Sequence, residues 1–110
     1  MFNKNEEIYV RELIEKLKEK PLIVDVREPD EYQGGHIPSS INIPLGQIDY
    51  YEPPEEVFLV CHSGRRSRAA ALILKDKGYS ARSVSGGLLK WNGPLEEVNG
   101  DNDTLNKMTL

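Results

Sequence analysis

The sequence predicts an α/β domain with a mostly parallel sheet and helices on both faces. Three observations predict it. Short apolar runs alternate with helix-period patterns along most of the chain. The runs at 22–26 (LIVDV) and 57–60 (VFLV) lack the polar alternation of a half-solvated strand, as parallel strands covered on both faces do. The 110 residues, 38% hydrophobic and 29% charged, are enough for one folded domain and too few for two.

Residues 1–7 are polar, and 8–10 (IYV) read as a short edge strand. Val10, Leu13, Ile14 and Leu17 then fall on one helix face, with Arg11, Glu12, Glu15, Lys16, Lys18 and Glu19 on the solvated face. Pro21 ends this helix and biases Lys20 away from helical backbone. The second strand, 22–26, carries Asp25 and Arg27 at its C-terminal end. Residues 28–32 (EPDEY) begin a helix, with Pro29 in the first turn and acids at the positive end of its dipole. Gly34 and Gly35 end it, and 36–40 form a turn in which His36 has a stabilising part.

Ile41, Asn42 and Ile43 read as a short strand closed by Pro44; 45–52 are a linker with room for one helical turn. Pro53 and Pro54 precede the central strand, which runs into Cys61 and the loop His62, Ser63, Gly64, Arg65, Arg66. A helix of strong propensity is expected from about Ser67 to Lys77, its alanines packing close to the sheet and Gly78 capping its end. Residues 82–84 form a last strand. Gly86 and Gly87 make a tight turn into a helical turn at 88–91, with Trp91 as a lid on the core. The domain is expected to span 1–93. The polar stretch 94–110 is expected to be a weakly ordered tail with a short helix around 95–98.

The totals narrow the function classes. A formal net charge of −4 argues against nucleic acid as the main partner. No apolar run approaches the ~20 residues of a membrane-spanning helix, and the first ten residues lack an apolar leader core. A soluble, cytoplasmic protein with no membrane partner is therefore expected. A single cysteine excludes an intramolecular disulfide, a self-resolving dithiol and a cysteine-based zinc site, and no metal is expected.

In open parallel sheets, sites form beyond the C-terminal strand ends, which is where Asp25, Arg27 and Cys61 fall. The free amides at the start of the following helix face Cys61, and Gly64 lets the loop curl so that successive N–H groups point inward. Arg65, Arg66 and Arg68 add cations at a helix end where cations are unfavourable unless an anion offsets them. Such a cradle stabilises a thiolate and binds an anionic substrate. Cys61 is thus the candidate nucleophile. His62 is discounted as its base, because adjacent side chains rarely face each other, and Arg68 is expected to be plain surface.

At this point the residues match a known pattern. The chain resembles a single-domain rhodanese over roughly 8–91. Three segments carry the resemblance. The first is VDVREPDEY at 24–32, with GHIP at 35–38 and INIP at 41–44. The second is CHSGRRS at 61–67, similar to the family's active loop, and the third is VSGG at 84–87 with Trp91. The resemblance implies a three-layer fold with a five-stranded parallel sheet. It implies a sulfurtransferase in which Cys61 takes a sulfane sulfur from a donor such as thiosulfate, becomes a persulfide, and passes the sulfur to cyanide or a thiol. No cofactor beyond that persulfide is implied.

By the same match, the loop from His62 to Arg66 binds the persulfide, Arg66 closes the loop, Arg65 sets selectivity, and Asp25, Arg27 and Ser67 support the site. The implied partners are a small anionic sulfur donor and a thiol acceptor, which can be a sulfur-relay protein. Ser39 and Ser40 depart from the family's frequent Gly-Ala pair, at a turn and not at the site. Phosphatases and arsenate reductases of the family have five residues between Cys and Arg. Here four residues (HSGR) separate Cys61 from Arg66, a smaller cradle that suits sulfur better than phosphate. A non-catalytic binding module is the other alternative, and the presence of Cys61, Gly64 and Arg66 argues against it.

Overall fold

In the computed structural model, which describes residues 4–97, five parallel strands form one sheet. They are β1 (Glu7–Ile8), β2 (Leu22–Asp25), β3 (Ile41–Asn42), β4 (Val57–Val60) and β5 (Ala81–Val84). The spatial order is β1-β5-β4-β2-β3, so β4 is central and β1 and β3 are edges. Helices α1 (Val10–Lys16), α2 (Pro29–Gln33) and α3 (Arg65–Asp76) connect them, with short 3-10 helices at Leu17–Glu19, Leu45–Tyr50 and Gly87–Leu89. Among the described residues no helix is long and apolar enough to cross a membrane.

Side chains alternate across a strand, and the two faces of β2 and β4 feed two separate cores. Val24, Val57 and Leu59 pack with Ala70, Ala71 and Leu74 of α3 and with Ile48. Ile23, Phe58 and Val60 pack on the other face with Leu13 of α1, Ile37, Val84 and Trp91. Both faces of the central strands are therefore covered, which explains their unbroken apolar runs.

Several boundaries differ from the expectation. The first strand is Glu7–Ile8 and not 8–10, because Tyr9 caps α1: its carbonyl accepts from the N–H groups of Glu12 and Leu13 at 3.0 and 3.1 Å. Helix α3 begins at Arg65, two residues before the expected start at Ser67. Gly64 turns the chain at φ 103°, and its carbonyl already accepts the Arg68 N–H at 3.1 Å. The linker turn after Pro44 is a full 3-10 segment over Leu45–Tyr50.

The segment after Trp91 is not helical as far as Glu97, and Val98 and the rest of the tail lie outside the described residues. The Trp91 indole N–H donates to Pro94 O at 2.9 Å. His36 and Glu96 exchange both backbone hydrogen bonds at 2.8 Å, which holds this stretch extended. His36 is buried, stacks on Tyr32 with ring centroids 3.9 Å apart, and has Nδ1 2.9 Å from Tyr32 O, in keeping with its expected place in the turn.

Candidate active site

Cys61 follows the last residue of β4 and is 1% exposed. Its Sγ lies over the first turn of α3, where backbone N–H groups have no intrahelical acceptor. Two of these amides point at the sulfur: Gly64 N–H at 3.0 Å and Ser67 N–H at 3.4 Å. The Ser67 hydroxyl is 3.5 Å from Sγ. The early start of α3 is what makes this possible, because it places Ser67 in the first turn with its amide free. Gly64 supplies the positive φ that an L side chain would resist.

The start of the loop is held from the other side. The Cys61 and His62 carbonyls accept from Leu88 N–H and Leu89 N–H at 2.9 and 3.0 Å. Gly87, at φ 59°, makes this approach: a Cβ there would lie 2.4 Å from Cys61 O and 2.7 Å from His62 O. The glycine pair legible in the sequence as a tight turn is thus one wall of the loop.

The arginines divide into different environments. Arg66 is half-buried and meets Glu31 of α2 in a two-point ion pair, Nη1–Oε1 at 2.7 Å and Nη2–Oε2 at 3.0 Å. The Glu31 carboxylate also accepts the Glu28 N–H at 3.0 Å. The Arg66 guanidinium, and next the Glu28 amide, hold the Glu31 carboxyl down at about 2, while Glu31 raises Arg66 further above its ordinary value. Arg68 is exposed, with Nη1 3.6 Å from Glu7 Oε2. Arg65 is exposed and lines, with Leu45, Ser63, Arg66 and Ala69, an open depression of about 390 Å³ beside the loop. His62 is exposed, and none of its side-chain atoms is hydrogen-bonded to Cys61 among the described residues.

Asp25 and Arg27 occupy the same end of the sheet as Cys61 but a different face. Asp25 pairs in register with Val60, whereas Cys61 packs with the α3-side core. The fully buried Asp25 carboxylate grips Arg27 through Nε and Nη2 at 2.9–3.1 Å, and Arg27 Nη2 donates to Gly35 O at 2.7 Å. The pair therefore fixes the turn after α2, the helix that carries Glu31. Among the described residues the pair has no direct hydrogen bond to Cys61; it acts on the loop through α2 and electrostatically, Arg27 helping to lower Glu31 and Asp25 helping to raise Arg66.

Two partners were not singled out from sequence. Glu31 stands three residues after Glu28 at a helix start, a capping-box spacing that could have marked it. Ser83, fully buried on β5, lies 2.7 Å from the Ser67 hydroxyl and has no sequence signal of its own.

The Glu31 ion pair has a pH signature. A carboxyl depressed from 4.5 to about 2 adds stability that is fully present above pH 4.5 and lost as pH falls towards 2. The pair is partly solvated, so its worth at neutral pH is about 1 kcal/mol. Glu31→Gln is expected to unfold at lower denaturant than wild type at pH 7. Denaturant titrations of the two proteins should converge only as the pH falls to about 2.

Comparisons with known proteins agree with this fold. The family model described as rhodanese-like domain matches residues 9–94. A Bacillus subtilis protein with the provisional name sulfur carrier protein YrkF is 39% identical over 79 residues, 67% of this chain and 43% of that protein. The chain thus spans less than half the length of that relative. The thiosulfate sulfurtransferase GlpE of Pseudoalteromonas translucida is 33% identical over 85 residues, 73% of this chain and 81% of the relative. The crystal structure of a rhodanese-related protein from Thermoplasma volcanium superposes with a TM-score of 0.75 at 32% identity, covering 83% of this chain and 97% of that one.

Proposed function

The chain belongs to the rhodanese-like domain family, and from that premise we propose that it is a sulfurtransferase working through a persulfide on Cys61. The observation that carries the reading is the buried Sγ at the end of the central strand, facing two amide N–H groups at 3.0 and 3.4 Å. Such donors favour charge on sulfur in a site that excludes most water.

In the first half-reaction the Cys61 thiolate attacks the outer sulfur of an anionic donor such as thiosulfate. The donor S–S bond breaks with its electron pair on the leaving sulfite, and Cys61 carries an anionic persulfide. In the second, a thiolate or cyanide attacks the outer persulfide sulfur, and the pair of the broken S–S bond returns to Sγ. No proton or external electron is needed in either step. Arg65, exposed beside the depression and without an ion pair among the described residues, offers a guanidinium for the donor's sulfonate. Arg66, held by Glu31 through two hydrogen bonds, keeps the loop closed.

The likeness to a protein named as a sulfur carrier supports a protein thiol as one acceptor. Its location is proposed to be a reducing compartment such as the cytoplasm, where a lone thiol stays free.

A sulfur-transfer assay with thiosulfate and cyanide or a thiol tests the reading, and the two helix-start arginines grade it. Arg66→Ala is expected to lower kcat/KM about 10- to 100-fold, a loss of about 1.4–2.8 kcal/mol. Arg68→Ala, at an exposed ion pair, should stay within about threefold. Equal losses would mean that Arg66 does not hold the loop. Release of phosphate from an aryl phosphate without sulfur transfer would replace the reading with a phosphatase.

A further inference from the structure

Ser67 and Ser83 are both fully buried; their hydroxyls lie 2.7 Å apart, and that of Ser67 is 3.5 Å from the Cys61 sulfur. We propose that Ser83 is a positioning residue that acts through Ser67, setting the direction in which the Ser67 proton points and so the charge that Cys61 Sγ can carry. The proposal rests on the persulfide reading above and deepens it.

The Ser67 hydroxyl has one proton and three neighbours: Gly64 O at 3.2 Å, Ser83 Oγ at 2.7 Å and Cys61 Sγ at 3.5 Å. When Cys61 is a thiol, its S–H donates to Ser67 Oγ, and Ser67 donates onward to Gly64 O or Ser83. When Sγ is a thiolate, Ser67 turns its proton to the sulfur, and Oγ becomes an acceptor without a donor unless Ser83 supplies one. Gly64 O does not suffer from the turn, because the Arg68 N–H already donates to it at 3.1 Å. The Ser83 hydroxyl has Ser67 Oγ as its hydrogen-bond partner among the described residues; Ser83 is itself fully buried, at the edge of a small polar pocket of about 40 Å³ that it lines with Glu7, Ser63 and Gly64. Hydrogen bonds in such a chain polarise one another. A Ser83 O–H donating to Ser67 therefore strengthens the Ser67 O–H donating to Sγ.

The pair would serve both half-reactions at the same atom. Sγ carries the charge as nucleophile before the donor is attacked. It carries the charge again as leaving group when the acceptor takes the outer sulfur and the S–S electron pair returns to Sγ. In the persulfide the charge moves to the outer sulfur, and Ser67 can turn back to Gly64 O.

The test is the rate at which iodoacetamide alkylates Cys61 as a function of pH, which reads charge on Sγ whether or not sulfur is transferred. Ser83→Ala is expected to slow alkylation at pH 7 about threefold and to move the rate profile to higher pH. Ser67→Ala should slow it about tenfold, and the double variant no more than Ser67→Ala alone, because Ser83 acts only through Ser67. Ser83→Thr, which keeps the hydroxyl, should stay close to wild type. An unchanged profile in Ser83→Ala would overturn the proposal. So would equal slowing in Ser83→Ala and Ser83→Thr, which would make packing the cause, or additive losses in the double variant. If the alkylation pattern holds but thiosulfate leaves no sulfur on Cys61, the sulfurtransferase reading fails and the hydroxyl relay stands.

Discussion

Cys61→Ser is expected to abolish sulfur transfer, lowering kcat/KM by about 10³-fold or more while leaving the fold in place. Cys61 is the only sulfur nucleophile in the sequence, so no neighbouring thiol can substitute. A serine hydroxyl fits the space of the thiol and can use the same donors, Gly64 N–H and Ser67 N–H. It cannot, however, form a persulfide. Thermal melting should therefore show a change of only a few degrees, and the loss of turnover would be chemical. Residual turnover within tenfold of wild type would mean that sulfur travels by a route that bypasses Cys61.

Gly87→Ala has the second largest expected effect, and it acts through the backbone of the nucleophile and its loop. The added methyl would stand 2.4 Å from Cys61 O and 2.7 Å from His62 O, both backbone atoms that cannot swing away. The φ of 59° adds a left-handed penalty of about 1 kcal/mol for any L side chain. Relief requires the 87–89 turn to withdraw, which lengthens the Leu88 and Leu89 hydrogen bonds to the loop carbonyls. A stability loss of about 2–4 kcal/mol is expected. A loss of kcat/KM of about 10²-fold is also expected, since a displacement of about 1 Å at a reacting atom has that scale. Gly78→Ala is the control. It has a similar positive φ of 95° but open space around the new methyl. It should cost about 1 kcal/mol of stability and none of the activity.

The central strands and the nucleophile were legible because each depends on local pattern. Unbroken apolar runs mark strands buried on both faces, and a cysteine followed by glycine and arginines marks an anion cradle. The start of α3 was not, since nothing in the sequence says that Gly64 takes a positive φ and brings Arg65 into the helix. The placing of Asp25 was half legible. Its position at a strand end is local, but its face depends on pairing register: Asp25 opposite Val60 puts it across the sheet from Cys61. Glu31 and Ser83 are partners in space at separations of 35 and 16 residues, which periodicity does not report. The tail helix expected near 95–98 fails as far as Glu97 for a similar reason, because His36, far away in sequence, holds Glu96 extended.

The proposed persulfide mechanism requires sulfur to rest covalently on Cys61. Intact-protein mass spectrometry after brief exposure to thiosulfate tests it most directly. A gain of one sulfur atom, located to the peptide containing Cys61, reversed by a thiol and absent in Cys61→Ser, is the predicted result. A folded wild-type protein that gains no sulfur from thiosulfate or from a small-molecule persulfide would contradict it.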